Sequence, residues 1–186
     1  RGTYTSMARN KRSNRKAELG LMDLELLSVL AQAQIAYPAE ELDRIWKKVL
    51  INQFHDILPG SSIHEVYEVT KEEYATLQKE IKALEEERLR ALVEDGEGIT
   101  IFNTTGHDRS DIVELGEVNA DALKDTDGKL YPIQKTAEGA VAYVRHLPSK
   151  GYKTFAAVST DAGQTTPFIL IDDYTLDTPF YTIHLD

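Results

Sequence analysis

Apolar residues in the first half of the chain recur at intervals of three and four. Leu19, Met22, Leu26, Val29, Leu30 and Ala33 form one such stripe across residues 16–35, which Leu21, Leu24 and Leu27 widen. That spacing predicts a helix covered on much of its circumference. Pro38 suits the first turn of a second helix, where its missing N–H is no loss. Leu42, Ile45, Trp46, Val49, Leu50 and Ile57 mark its apolar side, and Gly60 follows as a stop signal. Tyr74, Leu77, Ile81 and Leu84, extended by Leu89 and Leu92, predict a third helix. Ser62 with Glu65, or Thr70 with Glu73, supplies a capping box for its start; alternatively one long helix runs through both. Glu85, Glu86 and Glu87 read as its solvated face. The short connections predict an antiparallel three-helix bundle.

The pattern changes near Asp95. From Gly96 onward Thr, Val, Ile, Tyr and Phe come in short runs separated by Gly, Asp and Pro. These runs predict strands at 98–102, 111–115, 129–134, 139–146, 152–159, 166–171 and 178–185. Asp127-Gly128 is a turn signal, and Pro148 with Gly151 breaks the next interval. Helices followed by strands, without alternation, argue against a βαβ arrangement within the chain. The expected fold class is α+β: a helical-bundle domain over residues 1–95, then part of a β-sandwich over residues 96–186.

Composition narrows the function classes. The chain has 186 residues, 41% hydrophobic and 28% charged, in the ordinary globular range. No apolar run reaches the roughly 18 residues of a membrane span. Cysteine is absent, which removes disulfides, thiolate metal sites and cysteine nucleophiles together. That absence fits a reducing compartment and leads to the expectation of a cytoplasmic, bacterial-type protein. The net charge of −10 is unevenly spread: residues 1–16 hold six basic side chains and no acidic one, leaving 15 basic against 31 acidic in the rest. So acidic a body argues against a nucleic-acid partner, whose binding needs many clustered Lys and Arg. The basic opening reads as a solvated face, a partner for the acidic body, or a small interface.

The five histidines are scattered and form no HxH or HExxH motif, so spacing yields no complete metal site. Asn103-Thr104-Thr105 matches the weak three-residue glycosylation pattern, and His107-Asp108 reads as a turn pair. The second helix carries the anomaly. At about 100° per residue, Gln53 and Asp56 fall within its apolar stripe while His55 points away from the core. A carboxylate there is costly unless it is paired or the helix has already ended before Pro59. Imidazole beside carboxylate is also common metal-site chemistry. Spacing alone leaves both readings open.

The segment Asn52-Gln53-Phe54-His55-Asp56-Ile57-Leu58-Pro59-Gly60-Ser61-Ser62-Ile63 resembles the metal-site segment of glycoside hydrolase family 38, the retaining α-mannosidases. Arg1-Gly2-Thr3-Tyr4-Thr5-Ser6 and Asn10-Lys11-Arg12-Ser13-Asn14-Arg15 resemble that family's entry into its middle helical domain. Phe102-Asn103, Asp127-Gly128, Gln134, Leu147-Pro148 and Gly151-Tyr152 resemble, more weakly, the start of its β-rich region. The resemblance implies a zinc or similar divalent ion to which His55 gives one ligand, with Asp56 contacting the sugar. It implies hydrolysis of terminal α-mannosidic bonds of oligosaccharides, with retention through two carboxylates. It also implies that the nucleophile, the acid and most metal ligands belong to a preceding catalytic domain. On that reading the chain is a fragment with no catalytic residue of its own, inactive alone and made to dock on the missing domain. The alternative from the residues alone is a non-enzymatic protein- or carbohydrate-binding module.

Overall fold

The computed structural model describes residues 6–93, 96, 98–160, 169–178 and 181–185. The chain divides into two compact units, Arg1–Asp95 and Gly96–Asp186. Each has its own apolar core. No helix among the described residues is long and apolar enough to cross a membrane.

The first unit is three helices: α1 (Ala8–Ala31), α2 (Ala39–Asn52) and α3 (His64–Leu92). α1 begins eight residues earlier than its apolar spacing predicts. The reason is chemical: the inward positions of its first turns are Asn10 and Asn14, both buried, which a hydrophobic period does not register. Further along, the inward face is Ala17, Leu21, Leu24, Leu27 and Ala31. The stripe singled out from the sequence lies opposite, with Leu19, Met22, Val29 and Leu30 all exposed.

Polar contacts set the helix directions. Trp46 Nε1 donates to Glu25 Oε1 at 2.7 Å, and Gln53 Nε2 donates to Glu18 Oε1 at 2.7 Å. α2 therefore runs antiparallel to α1. Tyr74 Oη donates to Asn14 Oδ1 at 3.0 Å, and Arg88 Nη2 donates to the Ala36 carbonyl at 3.3 Å, so α3 returns parallel to α1. The result is an up-down-up bundle around Leu21, Leu24, Ile45, Val49, Tyr74 and Leu77. At Gly20 α3 packs tightly on α1, since a Cβ there would meet Ile81 Cγ2 at 2.9 Å. α3 is one continuous helix. Neither predicted capping box is used: Ile63 is the N-cap and makes no side-chain cap bond, while Thr70 is buried and bonds to the Tyr67 carbonyl. Glu85 departs from the solvated face predicted for residues 85–87. It turns toward α1, with its Oε1 3.5 Å from where a Gly20 Cβ would lie.

The second unit contains β1 (Gly98–Asn103), β2 (Arg109–Gly116), β3 (Ala122–Lys124), β4 (Leu130–Thr136), β5 (Gly139–Leu147) and β6 (Gly151–Val158). They form one antiparallel sheet in the order β1-β6-β3-β4-β5-β2. β3 is absent from the sequence expectation because three residues are too few to show an alternating pattern. β4 changes partner along its length: Pro132 pairs with Ala122 of β3, whereas Ile133 pairs with Ala142 of β5. Proline lacks the ladder N–H, which suits it to that handover. The sheet thereby curls over one core, where Tyr131 and Phe155 meet edge to face with centroids 5.5 Å apart. A separate meander holds β7 (Ile169–Asp172), β8 (Thr175–Asp177) and β9 (Thr182–His184). Among the described residues of the strand expected at 178–185, Thr182–His184 form β9; residues 179–180, like residues 166–168 of its predecessor, lie outside the described residues. Asn103 is 5% exposed, and its Nδ2 donates to the carbonyls of His107, Leu147 and Pro148. It is a loop-fixing residue and not an available glycosylation acceptor.

Candidate functional site: the turn after the second helix

α2 ends at Asn52, so the helical-wheel placement of residues 53–57 does not apply. The Phe54 N–H bonds to the Ile51 carbonyl at 3.1 Å, and the Ile57 N–H bonds to the Phe54 carbonyl at 2.8 Å. His55 and Asp56 are therefore the two central residues of a tight turn, where side chains are thrown outward. Their side chains are 78% and 61% exposed, with His55 Nε2 3.5 Å from Asp56 Oδ2. The Phe54 ring lies against the imidazole, centroids 4.2 Å apart. Asp56 is thus a carboxylate at a helix end in contact with water; no carboxylate is forced into an apolar stripe.

The turn is held from beneath by groups that its own sequence does not reveal. The buried Tyr67 hydroxyl accepts the Ser62 N–H at 3.0 Å and donates to the Ile57 carbonyl at 3.1 Å. Lys11 Nζ donates to the carbonyls of Pro59 at 3.0 Å and Ser6 at 2.5 Å. Gly60 has φ +99°, and a Cβ there would lie 2.9 Å from the Ser6 carbonyl oxygen. The start of α1 and the turn after α2 are consequently locked together. One of the six basic residues of the opening has this structural duty, which a reading of net charge cannot detect. Tyr67 stands seven residues before Tyr74, and this shared inward spacing on α3 was the available signal.

An imidazole and a carboxylate, adjacent and exposed, are donor types that zinc accepts. Among the described residues, however, no group of three or more His, Asp or Glu side chains is placed to hold a metal ion. The turn fits a metal as a contributor of ligands and not as a whole coordination sphere. His107 and Asp108 take no part in it: the His107 carbonyl accepts from Asn103, and Asp108 Oδ1 accepts from the Ser149 N–H at 3.0 Å.

Comparison with known proteins is informative for both units. The model of the alpha mannosidase middle domain matches residues 1–92, which is the helical unit with its turn. Human alpha-mannosidase 2C1 is 40% identical over 120 residues, 61% of this chain and 12% of that protein. An alpha-mannosidase of Saccharomyces cerevisiae is 38% identical over 107 residues, 50% of this chain and 10% of that protein. The chain thus spans about a tenth of the length of these relatives. In fold it is similar to a glycosyl hydrolase family 38 protein from Enterococcus faecalis, with TM-score 0.69 and 16% identity, covering 94% of this chain and 28% of that one. An alpha-mannosidase from the same organism gives TM-score 0.65 over 94% of this chain. The helical unit of this chain, residues 1–92, belongs to the alpha mannosidase middle domain family.

Proposed function

We propose that the chain is part of a retaining, metal-dependent α-mannosidase that hydrolyses terminal α-mannosidic bonds of oligosaccharides. In this reading His55 gives one ligand to a zinc or similar divalent ion, and Asp56 holds sugar hydroxyls. The family match across the helical unit carries the reading. The geometry of the turn supports it, because both side chains project into the open from a rigidly tied backbone. A divalent ion, when bound, supplies positive charge that orients and polarises substrate oxygens. The rest of the work at this turn belongs to the chain's own groups. Phe54 restricts the imidazole ring; Tyr67 and Lys11 fix the backbone; the Asp56 carboxylate accepts hydrogen bonds from donor hydroxyls. Retaining hydrolysis needs two carboxyl groups about 5–5.5 Å apart, one nucleophile and one acid. We assign neither to this chain; both come from a catalytic domain on which the helical unit docks.

The intact α-mannosidase containing this chain should cleave an aryl α-mannoside, whereas the 186-residue chain alone should not. Asp56→Asn in the intact enzyme should lower kcat/KM by about 10- to 100-fold, the worth of a charge-assisted hydrogen bond. Turnover by the purified chain alone, or unaltered kinetics in Asp56→Asn, would contradict the proposal.

A further inference from the structure

The outer side of α1 is unlike that of α3. Along α1, Leu19, Met22, Leu26, Val29 and Leu30 recur on the side opposite the buried face, over about 17 Å of helix. Leu19 is 43% exposed, Met22 58%, Val29 50% and Leu30 45%. No charged residue interrupts that stripe; Asp23 and Glu25 border it on either side. Its first turns carry Arg12 and Arg15, both exposed. The apolar surface continues onto α2. Trp46–Glu25 and Gln53–Glu18 join the helices at two levels, and Met22 and Leu50 lie between those levels. Leu50 is 57% exposed. The outer side of α3, by contrast, is charged: Lys71, Glu72, Lys79, Lys82, Glu86 and Glu87 are exposed there. A charged face is at home in water, whereas a charge-free stripe of this length marks a surface that something covers.

We infer that the outer face of α1 and α2, centred on Met22 and Leu50, is the surface by which the helical unit docks on another domain of the same α-mannosidase polypeptide. This rests on the function proposed above and adds which face is used. Three observations select that occupant. The face leads along α1 to the turn carrying His55 and Asp56, because Lys11 and Gln53 tie the two together. A turn that contributes only part of a metal sphere must meet the remaining ligands at that end. The relatives have the polypeptide to supply such a domain, since the match covers 12% of the human protein's length. A second copy fits less well: antiparallel pairing of Leu19 with Leu30 would set Arg15 opposite Gln34 and Arg12 opposite Tyr37, past the end of the helix and without an opposing charge. The covering surface is therefore apolar, with carboxylates facing Arg12 and Arg15.

Site-directed labelling tests this without relying on activity. The chain has no cysteine, so Met22→Cys and Lys79→Cys place single thiols on the two faces. Maleimide labelling, read by peptide mass spectrometry, is compared in the 186-residue chain and in the intact α-mannosidase. Both thiols should react at similar rates in the chain alone. In the intact enzyme Met22→Cys should slow by about 10-fold or more, as a site in the dry centre of an interface does, while Lys79→Cys stays unchanged. Equal reactivity of Met22→Cys in both proteins overturns the inference. So does a concentration-dependent dimer of the chain in which Met22→Cys is protected, since the occupant is then a second copy. Normal α-mannoside turnover with an open Met22→Cys removes only this face assignment. Absent turnover with a protected Met22→Cys removes only the proposed reaction.

Discussion

Glu85 sits half-buried between α1 and α3, where the missing side chain of Gly20 leaves room for its carboxyl group. Burial, then the nearby Asp23 and Glu86 carboxylates, pushes its pKa from the usual 4.5 up to about 7, against a smaller opposing effect of Lys82. The folded protein therefore holds this proton more tightly than the unfolded chain. The stabilisation is full below about 4.5 and is lost as pH rises through about 7. For a side chain this accessible to solvent, the effect amounts to about 1 kcal/mol. Glu85→Gln should raise the urea midpoint at pH 8 and flatten its pH dependence between pH 4.5 and 7. An unchanged profile would show that this carboxylate ionises freely in the bundle. Nothing in the run Glu85-Glu86-Glu87 distinguishes the first from its neighbours. The distinction comes from Gly20 on another helix, 65 positions away. Tyr67 and Lys11 escape a sequence reading in the same way, because both act through backbone carbonyls whose positions depend on the fold.

At the scale of elements, the existence and order of the helices were readable from spacing, while the inward face of α1 was not. α1 carries apolar residues on two opposite sides, and a periodicity argument has no means of choosing between them. The choice is made by Gly20, Asn14 and Glu18, which fit only the side against α2 and α3. Gly20→Val tests that account. It brings a branched side chain into the tight contact between α1 and α3, against Ile81, which is itself 4% exposed. Overpacking of this kind should destabilise the bundle by about 2 kcal/mol, offsetting any gain in helix propensity. Thermal unfolding followed by circular dichroism reads the change; an unaltered or raised midpoint would mean that the two helices separate freely there. The strands were legible for a related reason. Their alternation survives in β1, β2, β4, β5 and β6, whereas β3 and β8, of three residues each, offer too few to alternate and have no counterpart in the sequence expectation.

For the molecule as a whole, the chain combines a helical unit that presents a reactive-looking turn with a curled antiparallel sheet that has its own core. Position on the helical wheel draws attention to His55 and Asp56 but leaves their role open. Only the resemblance of the surrounding segment points to a metal and a sugar, since their spacing matches no metal motif. The proposed role accounts for this: a ligand pair that completes a site built elsewhere would need no internal repeat of ligands, only exposure and a fixed backbone. Both conditions are met at the turn between Phe54 and Ile57. The central claim is that this turn gives His55 to a divalent ion in an α-mannosidase. The most direct measurement is metal content per protein in the intact enzyme and its His55→Ala variant, by elemental analysis after extensive dialysis. The account predicts roughly one ion per chain in the parent, and a substantial loss in His55→Ala that tracks the loss of activity, as removal of a ligand does. An unchanged metal stoichiometry in His55→Ala would contradict it.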